Sequence, residues 1–330
     1  MALIEINELT KIYRTSRKKP GFWGAVRGLF SRDYAEVRAV DRISFSIEEG
    51  ELVGFLGPNG AGKTTTLKML AGILVPTSGS ARVLGFTPWE RKNEYRRQFA
   101  LVMGQKNQLW WDLPAQESLY LNKEIYGVSD GDYRRVLDEM TELLQVKRLL
   151  GVMVRELSLG ERMKMELIAA LLHRPRVLLL DEPTIGLDVV AQKNIRDFIR
   201  DYNRRTKTTI LLTSHYMNDI EALCDRVVVI NRGHKVFDGR LAEVVEEFSA
   251  SKRVTLTFDG GQLKKEDLDR FGEVVEFQAH KAVLQVPRED ITRISAELLG
   301  RWKMDDINIE EVPIEEVIGK VFERGEKGVE

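Results

Sequence analysis

The stretch Leu52-Val53-Gly54-Phe55-Leu56-Gly57-Pro58-Asn59-Gly60-Ala61-Gly62-Lys63-Thr64 decides the fold. Its apolar beginning reads as a strand. From Thr65 to Leu74 the residues Leu67, Leu70, Ala71 and Leu74 fall at helical spacing, and Pro76 follows as a stop. Between strand and helix, Gly57 to Thr64 fits the pattern Gly, four residues, Gly-Lys-Thr, at the junction where that pattern cradles phosphate. The glycines let successive backbone N–H groups turn inward around phosphate oxygens, and the helix beginning near Lys63 adds its positive end. Lys63 then reaches the outer phosphates and the Thr64 hydroxyl is placed for Mg²⁺, with Asn59, Gly60, Gly62 and Thr65 among the expected nucleotide contacts.

Outward from this loop, Ile43 to Ile47 alternates as a strand and a turn at Glu49-Gly50 precedes Leu52. Further along, Val177 to Leu180, Thr209 to Thr213 and Arg226 to Ile230 are continuous apolar runs, as expected for strands buried on both faces of a largely parallel sheet. The first of them ends in Asp181 and Glu182. Ligands of open α/β sheets bind at the carboxyl ends of strands, so Asp181 is expected in the Mg²⁺ shell, and Glu182 is expected to orient and deprotonate an attacking water. The segment from about Ala115 to Glu166 reads as a helical insert. Past about Arg240, short alternating segments and two helical stretches describe a small appended α+β domain.

The totals narrow the function. A length of 330 residues with 43% hydrophobic content fits one large and one small domain. Fifty basic and 51 acidic residues cancel, which leaves no global field for nucleic acid or a membrane surface. Cys224 is the single cysteine, so no internal disulfide framework exists and a reducing, cytosolic setting is expected. No apolar run reaches membrane-spanning length, and Glu5 and Glu8 interrupt the start where a secretory signal needs apolar residues. Any membrane role must come through docking on another protein.

Between the loop and the carboxylates lies Leu157-Ser158-Leu159-Gly160-Glu161, and with it the chain resembles the ATP-binding cassette (ABC) family, whose signature sequence this stretch matches. The resemblance covers about residues 1 to 240. It implies that Tyr13 stacks on adenine, that Gln105 senses Mg²⁺ and the attacking water, that Asp188 reaches across a dimer interface and that His215 hydrogen-bonds the γ-phosphate. Ser158 and Gly160 would contact the partner copy's ATP. Leu159 and Glu161 depart from the usual signature, and Glu161 adds a negative charge near a nucleotide-facing helix start. The family fold is a P-loop α/β cassette with a helical subdomain, about 106–166 here, and an antiparallel β subdomain. Its activity is ATP hydrolysis in a head-to-tail dimer with a second cassette, closing over two ATP to drive a separate permease.

Two further segments bear on the partner. Residues 14–38 interrupt the adenine-side sheet before a strand expected near Ile43. They place Phe22, Trp23, Val26, Leu29 and Phe30 on one helical face flanked by arginine and lysine, so 20–34 is either a membrane-surface helix or a basic hairpin packed on the cassette. Trp110 and Trp111 either meet the permease or fill the helical subdomain. With the LSLGE signature, these features resemble ABC-2 type exporters of drugs and other molecules. An ABC-2 permease partner and a location on the inner face of the cell membrane follow from that resemblance, and no nucleic acid is expected. Residues 241–330 would serve dimerisation and stability in preference to regulating closure. The rival classes are a soluble ABC ATPase of DNA or ribosomes, which would carry a long coiled coil or two cassettes, and a P-loop kinase or GTPase, which would lack the signature.

Overall fold

The computed structural model describes residues 2–16, 34–248, 251–259 and 263–327 and divides into two compact units, Met1–Gly239 and Arg240–Glu330. In the first, β1 (Ala2–Ser16), β2 (Tyr34–Glu48) and β4 (Ser78–Val83) form an antiparallel sheet ordered β2-β1-β4. Ile4 pairs with Ile47, Ile6 with Phe45 and Leu9 with Ile43, and all six are buried. Strand β2 begins at Tyr34, well before the Ile43 expected from sequence. Its early part shows no apolar period because Val37 is 52% exposed and the ladder to β1, with the Arg14–Glu36 ion pair at 3.0 Å, holds it instead of burial. The face proposed for Phe22 to Phe30 lies outside the described residues.

The second sheet runs β5-β6-β7-β3-β8-β9, where β3 is Leu52–Leu56, β5 Phe99–Met103, β6 Val177–Asp181, β7 Thr209–Thr213, β8 Arg226–Asn231 and β9 His234–Arg240. Strands β5 to β8 pair in parallel in this order, and β6 and β7 are buried at every position, as continuous apolar runs require. Because β7 separates β3 from β6, the loop after β3 and the acids after β6 face each other across one strand end. Helices α1 (Lys63–Leu70), α2 (Ala115–Tyr126), α3 (Asp130–Leu143), α4 (Leu159–Leu171), α5 (Val189–Thr206) and α6 (Met217–Leu223) complete the unit. Three of them start on side-chain caps, Ser129 for α3, Ser158 for α4 and Asp188 for α5.

The second unit contains α7 (Leu241–Phe248), β10 (Ser251–Phe258), α8 (Lys265–Leu268), β11 (Glu273–Gln278), β12 (Lys281–Pro287), α9 (Ile291–Arg301), β13 (Met304–Glu311) and α10 (Ile314–Lys327). Its antiparallel sheet, ordered β11-β12-β10-β13, is the split β-α-β arrangement. Val254, Leu256, Leu284, Ile294 and Leu298 form its core, while Ile314, Val317, Ile318 and Val321 give α10 a buried face beside α7. Among the described residues no helix is long and apolar enough to cross a membrane.

Candidate functional site

The buried strand β3 ends at Leu56, and the glycines that follow are required by the backbone itself. A Cβ on Gly57 would lie 2.4 Å from the Ile230 carbonyl oxygen, and one on Gly62, at φ +109°, would lie 2.3 Å from that of Ala39. The loop therefore wedges between β8 and β2. Asn59 and Gly60 stay exposed at its tip. Lys63 is buried, and its Nζ donates to the carbonyls of Gly57 at 2.6 Å and Pro58 at 3.2 Å. Burial pushes its ammonium below the usual lysine range, against the raising effect of Glu182 and Asp181. A cation held only by carbonyls beside exposed N–H groups is arranged to receive an anion.

Across the strand ends, Asp181 accepts from the Thr64 hydroxyl at 2.9 Å and from Thr213 Oγ1 at 2.7 Å. Glu182 follows in the left-handed region at φ +57°, held there by its N–H donating to Thr213 O at 3.0 Å. Its two carboxylate oxygens are treated differently. Oε1 lies 2.7 Å from His215 Nε2, and since a carboxylate only accepts, the imidazole hydrogen sits on Nε2; Oε2 is buried with no partner.

Gln105 joins this group through its neighbour. Gly104 N donates to Asp181 O at 2.8 Å, and a Cβ there would sit 2.1 Å from Glu182 O, so the exit of β5 is locked to the acid-bearing strand and Gln105 emerges exposed beside it. Tyr13 lies on β1 opposite Val37, two residues along β2 from the Ala39 that meets Gly62, with Lys11 Nζ 5.5 Å above its ring. Thr65 follows Thr64 in the first turn of α1.

Ser158, Gly160 and Asp188 form a second group. No hydrogen bond among the described residues joins Ser158 or Gly160 to the 57–64 loop. Ser158 caps α4 by accepting from Glu161 N at 3.3 Å, and Glu161 Oε2 accepts from Ser158 N at 3.0 Å and from its hydroxyl at 2.8 Å. These bonds hold the Glu161 carboxyl below the usual glutamate range. Glu161, expected as a charge added beside the helix start, is thus half of a capping box. Asp188 caps α5 through Ala191 N at 2.8 Å, and Gly160 and Gly186 pack close to Ala191 and Leu159. Beside Asp188, Val189 and Val190 are 77% and 69% exposed. Trp110 and Trp111, 59% and 46% exposed, do not fill the helical subdomain.

Sequence reading missed a buried joint behind the carboxylates. Asp219, 1% exposed, accepts from Thr184 Oγ1, from Ser214 Oγ at 2.7 Å and from Arg196 at 2.8 Å, tying the segment after Glu182 to the residue before His215. Four residues past His215, it reads as an ordinary first-turn acid of α6. Glu166, a buried acceptor on α4, was missed for the same reason.

Residues 40–185 match the family described as ABC transporter, and 250–310 match the one described as EvrA-like ABC transporter, C-terminal domain. The chain is 35% identical over 210 residues to the ABC transporter ATP-binding protein NatA of Bacillus subtilis, covering 64% of this chain and 85% of that relative. It belongs to the ATP-binding proteins of ABC transporters. The chain is also 34% identical over 268 residues to Nod factor export ATP-binding protein I of Burkholderia thailandensis, covering 81% of this chain and 87% of that relative. A solved ATP-binding subunit of an ABC transporter superposes on the cassette with a TM-score of 0.62 at 27% identity, over 74% of this chain and 93% of that one. The chain is therefore an ATP-binding, ATP-hydrolysing subunit of an ABC transporter.

Proposed function

We propose that the cassette drives an ABC-2 type permease from the inner face of the cell membrane, exporting a drug-like, lipid or glycan molecule. Residues 1–240 are the nucleotide-binding domain, with the helical subdomain at about 106–166, and residues 241–330 form an accessory module for dimerisation and stability. The observation that carries the catalytic reading is Glu182, with one oxygen on His215 and the other buried and unpaired beside the loop. Glu182 takes a proton from water as the water oxygen attacks the γ-phosphorus, and the bond to the leaving oxygen of ADP breaks with its electron pair. Lys63 leaves its loop carbonyls for the phosphates, His215 orients Glu182 and reaches the γ-phosphate, and Tyr13 stacks on the adenine. Ser158, Gly160 and Asp188 complete the site of a second, identical copy.

The Thr64 hydroxyl and the Asp181 carboxylate, 2.9 Å apart, are a hard oxygen pair that fits Mg²⁺, with Gln105 beside them. When bound, Mg²⁺ neutralises phosphate charge. The export reading is supported by the Nod factor export relative and by the exposed Trp110 and Trp111. The tryptophans are 59% and 46% exposed, an apolar pair open to a membrane subunit. The test uses Glu182→Gln held in ATP. Hydrolysis is expected to fall by about 10²–10⁴-fold with ATP binding retained, and a six-span membrane protein is expected to copurify. Normal hydrolysis overturns the base assignment, and recovery of soluble partners alone overturns the permease reading.

A further inference from the structure

Helix α4 carries Ser158 at its cap and, two turns further on, Glu166, which is 3% exposed. The Glu166 carboxylate bonds no side chain. Its Oε1 accepts from Gln108 N at 2.9 Å and from Leu109 N at 3.3 Å, and its Oε2 also accepts from Gln108 N at 3.2 Å. An acid that is buried in this way, with burial raising its pKa, is costly where an apolar residue would pack. What it gains is a grip on the backbone just after Gln105.

The next residues are held to the same helix and its approach. The Arg162 guanidinium lies 5.4 Å over the Trp111 ring, Arg155 N donates to Trp111 O at 3.1 Å, Arg155 pairs with Asp112 at 2.9 Å, and Val154 N donates to Leu113 O at 3.0 Å. Every one of these contacts joins 108–113 to the stretch 154–166 that contains the signature. The Leu109 contact of Glu166 is buried, whereas the Arg155 pair is solvent-exposed and correspondingly weak.

We propose that Glu166 is a positioning residue that makes segment 108–113 and the signature helix α4 one mechanical piece. A displacement at Trp110 and Trp111 is then delivered to Ser158 and Gly160, and closure of the signature on ATP is delivered back to the tryptophans. The proposal rests on the reading of 158–160 as the half-site and of the tryptophan face as the permease contact. It links the glutamine loop of one ATP site to the signature serving the other, so the two sites of a dimer share one transmission part.

The experiment is amide hydrogen exchange on the full chain in the Glu182→Gln background, with and without ATP, reading the peptide that spans 106–113. The expected result is a change in exchange at 106–113 when ATP closes the dimer. Glu166→Leu should abolish that ATP-induced change and speed exchange at Gln108 and Leu109 by tenfold or more, while dimer formation by light scattering persists. A merely structural role would lower the melting temperature and leave the ATP-induced change intact, which overturns the proposal. So does a Glu182→Gln protein whose 106–113 peptide ignores ATP. Should Glu166→Leu not fold, Gln108→Pro removes the donor from the exposed side of the same contact, and persistence of the ATP response there equally overturns it. If 106–113 responds through Glu166 but no membrane protein copurifies with Glu182→Gln, the coupling stands and the permease reading falls.

Discussion

The loop side and the signature side of the cassette hold their polar groups in opposite ways. Around Gly57 to Thr64, the side chains that would meet phosphate and metal are sunk and bonded inward, Lys63 to loop carbonyls and Asp181 to two hydroxyls. Around Ser158, the groups lie at the surface, and the serine hydroxyl is occupied by a carboxylate three residues on. On the proposed reading both sides exchange partners on closure: Lys63 leaves its loop carbonyls for phosphate, and Ser158 leaves Glu161 for the phosphate of a facing copy. The difference teaches that the loop side rearranges within a buried cradle, whereas the signature side rearranges at an exposed helix start.

Asp219 ties the segment after Glu182 to the residue before His215 and to α5, and breaking it should have the largest effect. Asp219→Ala leaves Arg196 buried without its carboxylate and frees Thr184 and Ser214, at a cost of about 3–5 kcal/mol in urea unfolding. Asp219→Asn, which keeps an acceptor for each hydroxyl, should cost less. A loss under 1 kcal/mol for the alanine variant, about the scale of an exposed pair, would show that Asp219 does not hold these segments together. Next comes Ser158→Ala, expected to lower stability by about 1 kcal/mol through loss of the cap and to weaken ATP-driven dimerisation while ATP binding to the monomer is unchanged. Equal losses in both measurements would erase the distinction between the sides.

The smallest effect is expected from Glu161→Gln. Glutamine preserves the capping box but removes the charge beside the helix start, so ATP affinity of the closed dimer should rise by a few-fold, within the roughly 0.3–1 kcal/mol of a charge near a helix end. The sign of its pH dependence follows from the lowered carboxyl. Glu161 stabilises the fold above the ordinary glutamate range, and that contribution is lost as pH falls through its depressed folded value. Thermal melts across acid pH should therefore slope less steeply in Glu161→Gln than in the parent; identical slopes would remove Glu161 from the account.

What was legible in the sequence follows physical lines. The strand ending in Asp181 and Glu182 and the glycine loop were readable because continuous burial and backbone crowding dictate residue type directly. The early half of β2 was not, since a ladder of backbone bonds between two exposed strands places no apolar period on its side chains. Asp219 and Glu166 were equally hidden. An acid in a helix looks solvated until tertiary packing closes over it, and their partners lie on elements far away in sequence: Thr184 and Arg196 for one, the amides of Gln108 and Leu109 for the other. Ser158 was read correctly as a helix start, but its bond with Glu161 needed the geometry of the turn.

Glu182 sits at φ +57° with one oxygen buried and unpaired. The left-handed backbone costs a non-glycine residue about 1–2 kcal/mol, which glycine would remove and asparagine would ease. Stability and turnover therefore pull this position in opposite directions: Glu182→Gly is expected to melt higher while hydrolysing less.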